Sequence, residues 1–199
     1  MLTVGLTGGI ASGKSIVARM LQEKGCQVVE ADLVAHEFLK PSNPVSQEIV
    51  KEFGPEIVDP TGAIDRAKLG EVVFGNSQKL ARLNALTHPP VLKEIARRLA
   101  EVAQKDNSSI AVVVAALHIE TGHYKTFDRL AVAWCTREQQ VARLLGRGLT
   151  CEQAERRIAS QLPLDEKRLL ADDVIDCSQT FEDTRRQVDE MLSRWKKIA

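Results

Sequence analysis

Residues 8–15 read Gly-Gly-Ile-Ala-Ser-Gly-Lys-Ser, a complete GxxxxGK[ST] motif close to the start of the chain. An apolar run at residues 2–6 precedes the motif, and residues 16–21 follow it with the pattern of an amphipathic helix. In this strand–loop–helix order, backbone N–H groups surround phosphate oxygens, the lysine neutralises phosphate charge and the next hydroxyl binds Mg²⁺. The sequence therefore predicts a phosphate-binding loop in which Lys14 and Ser15 have these two roles.

The bulk properties of the chain narrow the partners that we expect it to bind. The 27 basic and 27 acidic side chains among 199 residues balance, whereas a nucleic-acid-binding protein usually carries a basic excess. The four cysteines form no CxxC pair, which favours free thiols in a reducing compartment. No apolar run approaches the roughly 18 residues of a membrane span, and no targeting segment precedes the first strand. We expect a cytoplasmic protein, a monomer or weak homo-oligomer, with no nucleic-acid and no membrane partner.

Short apolar runs along the chain predict the strands of one sheet. They occupy residues 2–6, 26–29, 110–117 and 130–135, with a weaker run at 174–177. The third run is apolar on both faces, which is typical of a parallel strand covered by helices on both sides. The predicted fold is an α/β domain in which a parallel sheet of the phosphate-loop NTPase type is flanked by helices.

Two long intervals between the strands predict insertions into this domain. Roughly 80 residues separate the second and third runs, far more than a crossover helix needs. We expect a helical insertion at residues 32–104, broken at Pro41, at residues 54–62, at Gly75 and at His88-Pro89-Pro90. Residues 140–164 carry several arginines and are expected to form a small lid, although charge alone favours a solvated helix face. The core then comprises residues 1–31, 105–139 and 165–199.

Local signals mark several helix ends. Thr136 with Gln139, and Thr150 with Gln153, match the capping box that opens a helix. Gly25 is suited to end the helix that follows the phosphate loop.

Acidic residues follow the second predicted strand. Asp32, at the carboxyl end of that strand, suits acceptance of a proton from an attacking hydroxyl or retention of a water bound to Mg²⁺. An N-cap for the helix starting at Leu33 explains it equally well. Glu30 is the alternative carboxylate on the metal side. The third run contains no acidic residue, so a Walker-B aspartate is missing from its usual place.

Three features of the long insertion have two readings each. His88 suits either hydrogen bonding to a substrate phosphate or fixation of a turn, and Arg66 suits either a surface ion pair or an anion ligand. Residues 59–62 formally match the DxxG motif of GTPases, but no buried strand precedes them, so we predict a turn.

Taken together, these motifs resemble those of the dephospho-CoA kinase family over nearly the whole chain. The family opening, Gly-Leu-Thr-Gly-Gly-Ile-x-Ser-Gly-Lys-Ser, stands at residues 5–15, with Ala11 at the free position. The further matching segments are Glu-Ala-Asp at 30–32 for Asp-Ala-Asp, Asp-Arg-x-x-Leu at 65–69 followed by Val73 and Phe74, His-Pro at 88–89, Gln-x-x-Arg-x-x-x-Arg at 140–147, Ala-x-x-Arg-Ile-x-x-Gln at 154–161 and Ala-Asp-x-x-Ile-Asp at 171–176.

One segment departs from the family pattern. Many members have Asp-x-Pro-Leu-Leu-x-Glu where residues 114–120 read Val-Ala-Ala-Leu-His-Ile-Glu. The aspartate and the proline are lost and His118 replaces an apolar residue, whereas Glu120 is kept.

The resemblance implies an enzyme that transfers the γ-phosphoryl group of ATP, with Mg²⁺, to the ribose 3′-hydroxyl of dephospho-CoA, the final step of coenzyme A synthesis. Its partners are then ATP and dephospho-CoA, and the resemblance implies that the helical insertion at residues 32–104 is acceptor-binding. The expected catalytic residues are Lys14, Asp32 and Arg147. The expected ATP-binding residues are Gly9, Ile10, Ala11, Ser12, Gly13, Lys14, Ser15, Ile16, Arg143 and Arg147. The expected acceptor-binding residues are Asp32, Arg66, His88, Glu120, Arg157 and Gln161. Ser15 is the expected Mg²⁺ ligand, with Glu30 or Asp32 acting through water.

Two other functions are compatible with parts of the pattern. A nucleoside monophosphate kinase shares the phosphate loop, the helical insertion and the lid. A nucleotide-dependent switch would carry a base-specificity motif and a DxxG motif linked to a strand, and the sequence has neither.

Overall fold

The structure, a computed structural model, describes residues 1–73 and 75–199, so Phe74 of the family motif lies outside the described residues. Within these residues, five parallel strands form one sheet in the order β2-β3-β1-β4-β5. The strands are β1 (Leu2–Gly8), β2 (Gln27–Glu30), β3 (Ile110–Val114), β4 (Arg129–Trp134) and β5 (Asp173–Asp176). The predicted α/β fold with a parallel sheet is confirmed.

Helices follow β1, β2, β4 and β5, and four of them occur in succession between β2 and β3. They are α1 (Lys14–Glu23), α2 (Ala31–Glu37), α3 (Pro44–Phe53), α4 (Arg66–Val73), α5 (Ser77–Lys105), α6 (Arg137–Leu145), α7 (Cys151–Ala159), α8 (Leu164–Leu169) and α9 (Phe181–Trp195). Short 3-10 turns occur at Pro55–Ile57 and His123–Thr126. Among the described residues, no helix is both long and apolar enough to cross a membrane.

The chain divides into two compact units. The first unit contains Met1–Glu30 and Glu101–Ala199, and the second contains Ala31–Ala100. The functional division predicted from the sequence, with an insertion at residues 32–104 and a lid at residues 140–164, stays a prediction.

In the first unit, α1 and α9 pack on the central strand of the sheet. Val4 and Leu6 of β1 are fully buried in one cluster with residues of both helices. Trp195 of α9 is also fully buried, and its indole Nε1 donates a hydrogen bond of 2.8 Å to Asp173 Oδ2. The sheet therefore has a rigid apolar support beneath β1, from which the phosphate loop emerges.

The second unit has an apolar core of its own. Ile49 and Phe53 of α3 pack with Ile57, Ile64 and Leu69. The DxxG-like segment is a turn, as predicted, because Asp59 Oδ1 accepts a hydrogen bond of 2.8 Å from the Thr61 amide.

The prediction that His88-Pro89-Pro90 breaks the helix is wrong. Helix α5 continues through both prolines. Proline removes an amide donor and normally kinks or ends a helix. Here Ala85 and Pro89 are both exposed, so water can reach the carbonyl group that Pro89 leaves without a donor. The breaks expected at Pro41, at residues 54–62 and at Gly75 do fall between helices.

The predicted helix ends are confirmed elsewhere. Thr136 and Thr150 each accept a hydrogen bond from the amide three residues on, and both capping boxes are complete. Gly25 follows α1 with a φ of 93°, a conformation that favours glycine. All four cysteines are free, as expected, and Cys151 is the exposed one.

The third strand ends earlier than predicted, at Val114 instead of residue 117. The Ala116 carbonyl accepts hydrogen bonds from Thr7 Oγ1 at 3.1 Å and from Lys167 Nζ at 2.7 Å. Because side chains bind this carbonyl, the chain leaves the strand ladder at the edge where β1 also ends.

Candidate active site

The phosphate loop connects β1, the middle strand of the sheet, to α1. Ligands of open parallel sheets bind at the carboxyl ends of the strands, and the loop lies at this edge. Close packing explains two of its glycines. A Cβ atom on Gly8 would lie 2.7 Å from the Ala133 carbonyl oxygen, and one on Gly13 would lie 2.8 Å from Cys177 Cβ. Gly13 also has a φ of 107°.

The loop leads directly into the positive end of α1. The amides of Ile16 and Val17 both bind the Gly13 carbonyl, so regular helix bonding starts at that residue. The first amides of a helix have no partner within it, and the helix dipole adds partial positive charge there. Lys14 and Ser15 supply these amides, and their side chains are half-buried and exposed, respectively. This arrangement is suited to bind phosphate oxygens.

The hydroxyl group of Ser12 lies inside the loop with its hydrogen-bonding capacity unsatisfied. It is fully buried, and it has no hydrogen-bond partner among the described residues. A buried polar atom without a partner is rare in native proteins and marks a place where a polar ligand can bind.

Three side chains from the region of α6 and α7 hold the loop from the other side. The Ile10 amide donates to Gln161 Oε1 at 2.8 Å, and the Ile10 carbonyl accepts from Gln140 Nε2 at 2.7 Å. The Ala11 carbonyl accepts from Arg143 Nη1 at 3.0 Å. Ala11 is the one non-glycine residue with a positive φ, 59°, among the residues described. Three consecutive peptide groups of the loop are thus fixed by side chains distant in sequence.

The spacing of four positions between Arg143 and Arg147 predicts that they share one helix face in the lid, and the structure corrects this prediction because Arg147 lies outside α6. Helix α6 ends at Leu145, and Gly148 adopts a φ of 85° just beyond it. Arg147 is exposed in this turn, whereas Arg143 Nη2 donates to the Cys177 carbonyl at 2.6 Å. Two glycines close together explain the early end, because glycine has a low helix propensity.

Cys177 lies against Gly13 without adding charge to the loop. Burial raises the pKa of the Cys177 thiol to about 12, and nearby Arg143 lowers it to a smaller extent. The thiol is therefore neutral at physiological pH and does not oppose phosphate binding.

Lys167 is a charged residue near this site that the sequence did not indicate. Its side chain is fully buried, and Nζ pairs with Glu120 Oε1 at 2.7 Å in addition to the Ala116 carbonyl. Burial lowers the pKa of Lys167, the Glu120 carboxylate opposes this shift, and the positive charge of Lys14 adds to it. Lys14 and Lys167 therefore lie close enough for their charges to interact.

The segment that departs from the family pattern contains Glu120 and His118, and both side chains make contacts with other parts of the protein. Glu120 Oε1 also accepts a hydrogen bond of 3.0 Å from the Leu162 amide. His118 is buried, its Nε2 lies 2.9 Å from the Val113 carbonyl oxygen, and its ring packs edge-on against Phe127. Since a carbonyl oxygen only accepts, Nε2 carries the hydrogen in this contact.

The remaining predicted site residues occupy exposed or helix-terminal positions. Glu30 is exposed at the end of β2, and Arg157 is exposed on α7. In the second unit, α2 starts at Ala31, so Asp32 lies exposed in its first turn and the N-cap expected for a helix starting at Leu33 is wrong. Arg66 is exposed at the start of α4. His88 is half-buried within α5. Their roles in binding and catalysis stay predictions.

Comparison with known proteins assigns the family. The sequence model described as dephospho-CoA kinase matches residues 2–183. A dephospho-CoA kinase from Carboxydothermus hydrogenoformans is 44% identical over 194 residues, which are 97% of this chain and 94% of that protein.

Two solved structures share the fold. TT1252 from Thermus thermophilus is 29% identical, with a TM-score of 0.81 and 97% of each chain covered. Dephospho-CoA kinase from Campylobacter jejuni has a TM-score of 0.65 and 24% identity, over 98% of this chain and 97% of that one. With the family model matching most of its length and its phosphate loop at the expected edge of the sheet, this chain belongs to the dephospho-CoA kinase family of phosphotransferases.

Proposed function

We propose that this protein transfers the γ-phosphoryl group of ATP to the ribose 3′-hydroxyl of dephospho-CoA and so produces coenzyme A and ADP. The observation that carries the proposal is the phosphate loop at the carboxyl end of β1 in a chain that matches the dephospho-CoA kinase family. The same family membership supports ATP as the phosphoryl donor.

The donor side of the reaction relies on positive charge in the loop. Lys14 and the first amides of α1 stabilise the charge on the phosphoryl group as it is transferred. Arg147 adds a guanidinium from the turn after α6. Arg143 acts less directly, because its guanidinium already binds the Ala11 and Cys177 carbonyls.

The acceptor side requires activation of a hydroxyl group. The 3′-oxygen forms a bond to the γ-phosphorus while the bond from that phosphorus to the bridging β,γ-oxygen breaks, and ADP leaves. The hydroxyl proton passes to the carboxylate of Asp32, which follows the last residue of β2 by two positions. Arg66, His88, Glu120 and Arg157 are proposed to bind the acceptor.

The loop has the donor type that Mg²⁺ requires. In nucleotide kinases the ion is bound by one or two protein oxygens together with substrate phosphates. The exposed Ser15 hydroxyl follows the loop lysine, and the Ser12 hydroxyl nearby has no partner among the described residues. Ser15 would hold the ion, with Glu30 or Asp32 acting through water, and the ion would neutralise phosphate charge.

A coupled assay of ADP release tests the proposal. Purified protein with ATP and Mg²⁺ is given dephospho-CoA, AMP, CMP or UMP in parallel, and the CoA product is identified by mass spectrometry. Turnover with dephospho-CoA alone supports the proposal, and preferential turnover with a nucleoside monophosphate would assign the chain to that class of kinase. Hydrolysis of the triphosphate without transfer to any acceptor would favour a switch.

We also propose a cytoplasmic location and a monomer or weak homo-oligomer.

A further inference from the structure

We propose that Gln140 and Gln161 are positioning residues for ATP, because they hold the phosphate loop by the two peptide groups of Ile10. The proposal rests on the proposed function to the extent that this loop binds the phosphates of ATP. It gives Gln161 a role on the donor side of the reaction, whereas the family pattern led us to expect it on the acceptor side.

The two glutamines form hydrogen bonds with Ile10 from different parts of the chain. Gln140 lies in α6 and is buried, whereas Gln161 follows the end of α7. Their contacts span 130 and 151 positions of sequence, at 2.7 and 2.8 Å, respectively. Both distances are normal for strong hydrogen bonds. The loop therefore depends on the placement of both helices and not on local sequence alone.

The chemistry of the peptide group fixes the direction of each hydrogen bond. An amide N–H only donates and a carbonyl oxygen only accepts. Gln161 must therefore present its oxygen to Ile10, and Gln140 must present its nitrogen. The two glutamines have the same side chain but opposite hydrogen-bonding roles, and this difference makes the proposal testable by one kind of substitution.

The residues on both sides of Ile10 have conformations and sizes that allow these contacts. A Cβ atom on Gly9 would lie 2.6 Å from Gln140 Nε2, so Gly9 leaves the space that the amide of Gln140 occupies. Ala11, the residue after Ile10, has a φ of 59°, a conformation that alanine adopts only when its surroundings impose it. Arg143 binds the carbonyl of that same residue.

Loss of either contact should affect ATP before the acceptor. A buried peptide group without a partner destabilises the loop conformation, and phosphate binding depends on several amides of that loop pointing inward. We expect kcat/KM for ATP to fall, with the KM for dephospho-CoA nearly unchanged. A purely structural role of the glutamines would reduce the folded fraction and affect both substrates equally.

The experiment replaces each glutamine with glutamate, which has nearly the same shape and adds the same charge beside the same residue. Gln161→Glu keeps an acceptor for the Ile10 amide. Gln140→Glu removes the donor and sets a carboxylate against the Ile10 carbonyl. We expect kcat/KM for ATP to be lower in Gln140→Glu than in Gln161→Glu by about 10-fold or more. Equal losses in the two variants would overturn the proposal, since repulsion of phosphate is common to both.

A second pair of variants keeps the test valid if Gln140→Glu fails to fold. Gln161→Ala, which adds no charge, should lose about 10-fold in kcat/KM for ATP. Hydrogen exchange of the Ile10 amide, followed by NMR in the protein without nucleotide, should be faster in Gln161→Ala and near the parent rate in Gln161→Glu. Unchanged exchange in Gln161→Ala would refute the contact.

Failure of the proposed function would be distinguishable from failure of this inference. Binding of ATP is measured by calorimetry without any acceptor, and exchange of the Ile10 amide needs no substrate. A protein that binds ATP and has the expected exchange pattern but does not phosphorylate dephospho-CoA would support the positioning role alone. If Gln161→Ala phosphorylated dephospho-CoA as well as the parent protein does, the proposed function would stand and the positioning role would be refuted.

Discussion

Replacement of Lys167 with methionine tests whether the buried ion pair stabilises the sheet edge beneath the phosphate loop. Methionine keeps most of the apolar volume of the side chain and removes the ammonium group. The variant loses the hydrogen bonds from Nζ to the Ala116 carbonyl and to Glu120, both 2.7 Å long. The Ala116 carbonyl retains Thr7 Oγ1, and Glu120 retains the Leu162 amide.

The expected cost follows from what Glu120 loses. Removal of one partner from a buried ion pair costs about 3–5 kcal/mol, because the other charge is left without compensation. The Glu120 side chain is 23% exposed and keeps one amide donor, which places the cost at the lower end, about 3 kcal/mol. For a protein of this size, the loss corresponds to a decrease of roughly 6–12 °C in Tm.

Thermal unfolding followed by circular dichroism measures this decrease, with Lys24→Met as the matched control. Lys24 pairs with Asp189, whose side chain is 50% exposed, so its replacement should cost at most about 1 kcal/mol. The variant Lys167→Met/Glu120→Gln should recover part of the lost stability, because it removes the charge left alone. If Lys167→Met lowered Tm no more than Lys24→Met, or if Glu120→Gln gave no recovery, the buried pair would not be the source of stability.

Four further predictions concern the reaction and the response to acid. Lys14→Ala should lower kcat by about 10²–10³-fold in the ADP-release assay with Tm almost unchanged, and near-normal kcat would exclude the loop as the phosphate site. Asp32→Asn should lower kcat by about 10²–10⁴-fold with little effect on the KM for ATP, whereas full specific activity with a lower Tm would leave only a stabilising charge in the first turn of α2. Arg147→Ala should lower kcat/KM by about 100-fold and change the free energy of unfolding in urea by less than about 0.5 kcal/mol. A fully active variant would show that Arg147 is only a solvated surface residue. Arg97 and Arg98 lower the pKa of Glu94 from 4.5 to about 2, so its stabilising contribution is present above pH 4.5 and is lost as the pH falls toward 2. The urea midpoint of Glu94→Gln should therefore fall less between pH 5 and pH 3 than that of the parent, and parallel curves would contradict the assigned pairing.

The parts of the fold that could be predicted depend on local sequence. The phosphate loop, the apolar strands and the two capping boxes are each specified by residues within a few positions of one another. The prolines of α5 show the limit of this approach, because the helix continues through both, and the carbonyl that Pro89 leaves without a donor belongs to Ala85, an exposed residue. Local propensity predicted a helix break at these prolines, whereas the chain on both sides of them stays helical.

The parts of the site that were missed depend on distant contacts. Lys167 stands among Asp165, Glu166 and Arg168, a run that reads as a solvated helix surface. Its burial is set by Ala116 and Glu120, about 50 positions away, and no periodicity in α8 indicates them. Gln140 and Gln161 stood out as parts of a family pattern, but the pattern carries no information about which substrate they serve.

The contacts of Arg143 change how a moving lid would have to work in this chain. Gln140, Arg143 and Gln161 all bind Ile10 or Ala11, so both ends of residues 140–164 are attached to the phosphate loop. Displacement of the whole segment would break three hydrogen bonds, each contributing about 1 kcal/mol or more. Between these attachments lies Arg147, exposed in the turn that follows α6. Ala154 and Ile158 of α7 also pack in one buried apolar cluster with Ala11 of the loop. We therefore expect any closure over the donor phosphates to be confined to the turn that carries Arg147, with α7 and the attached ends remaining on the loop.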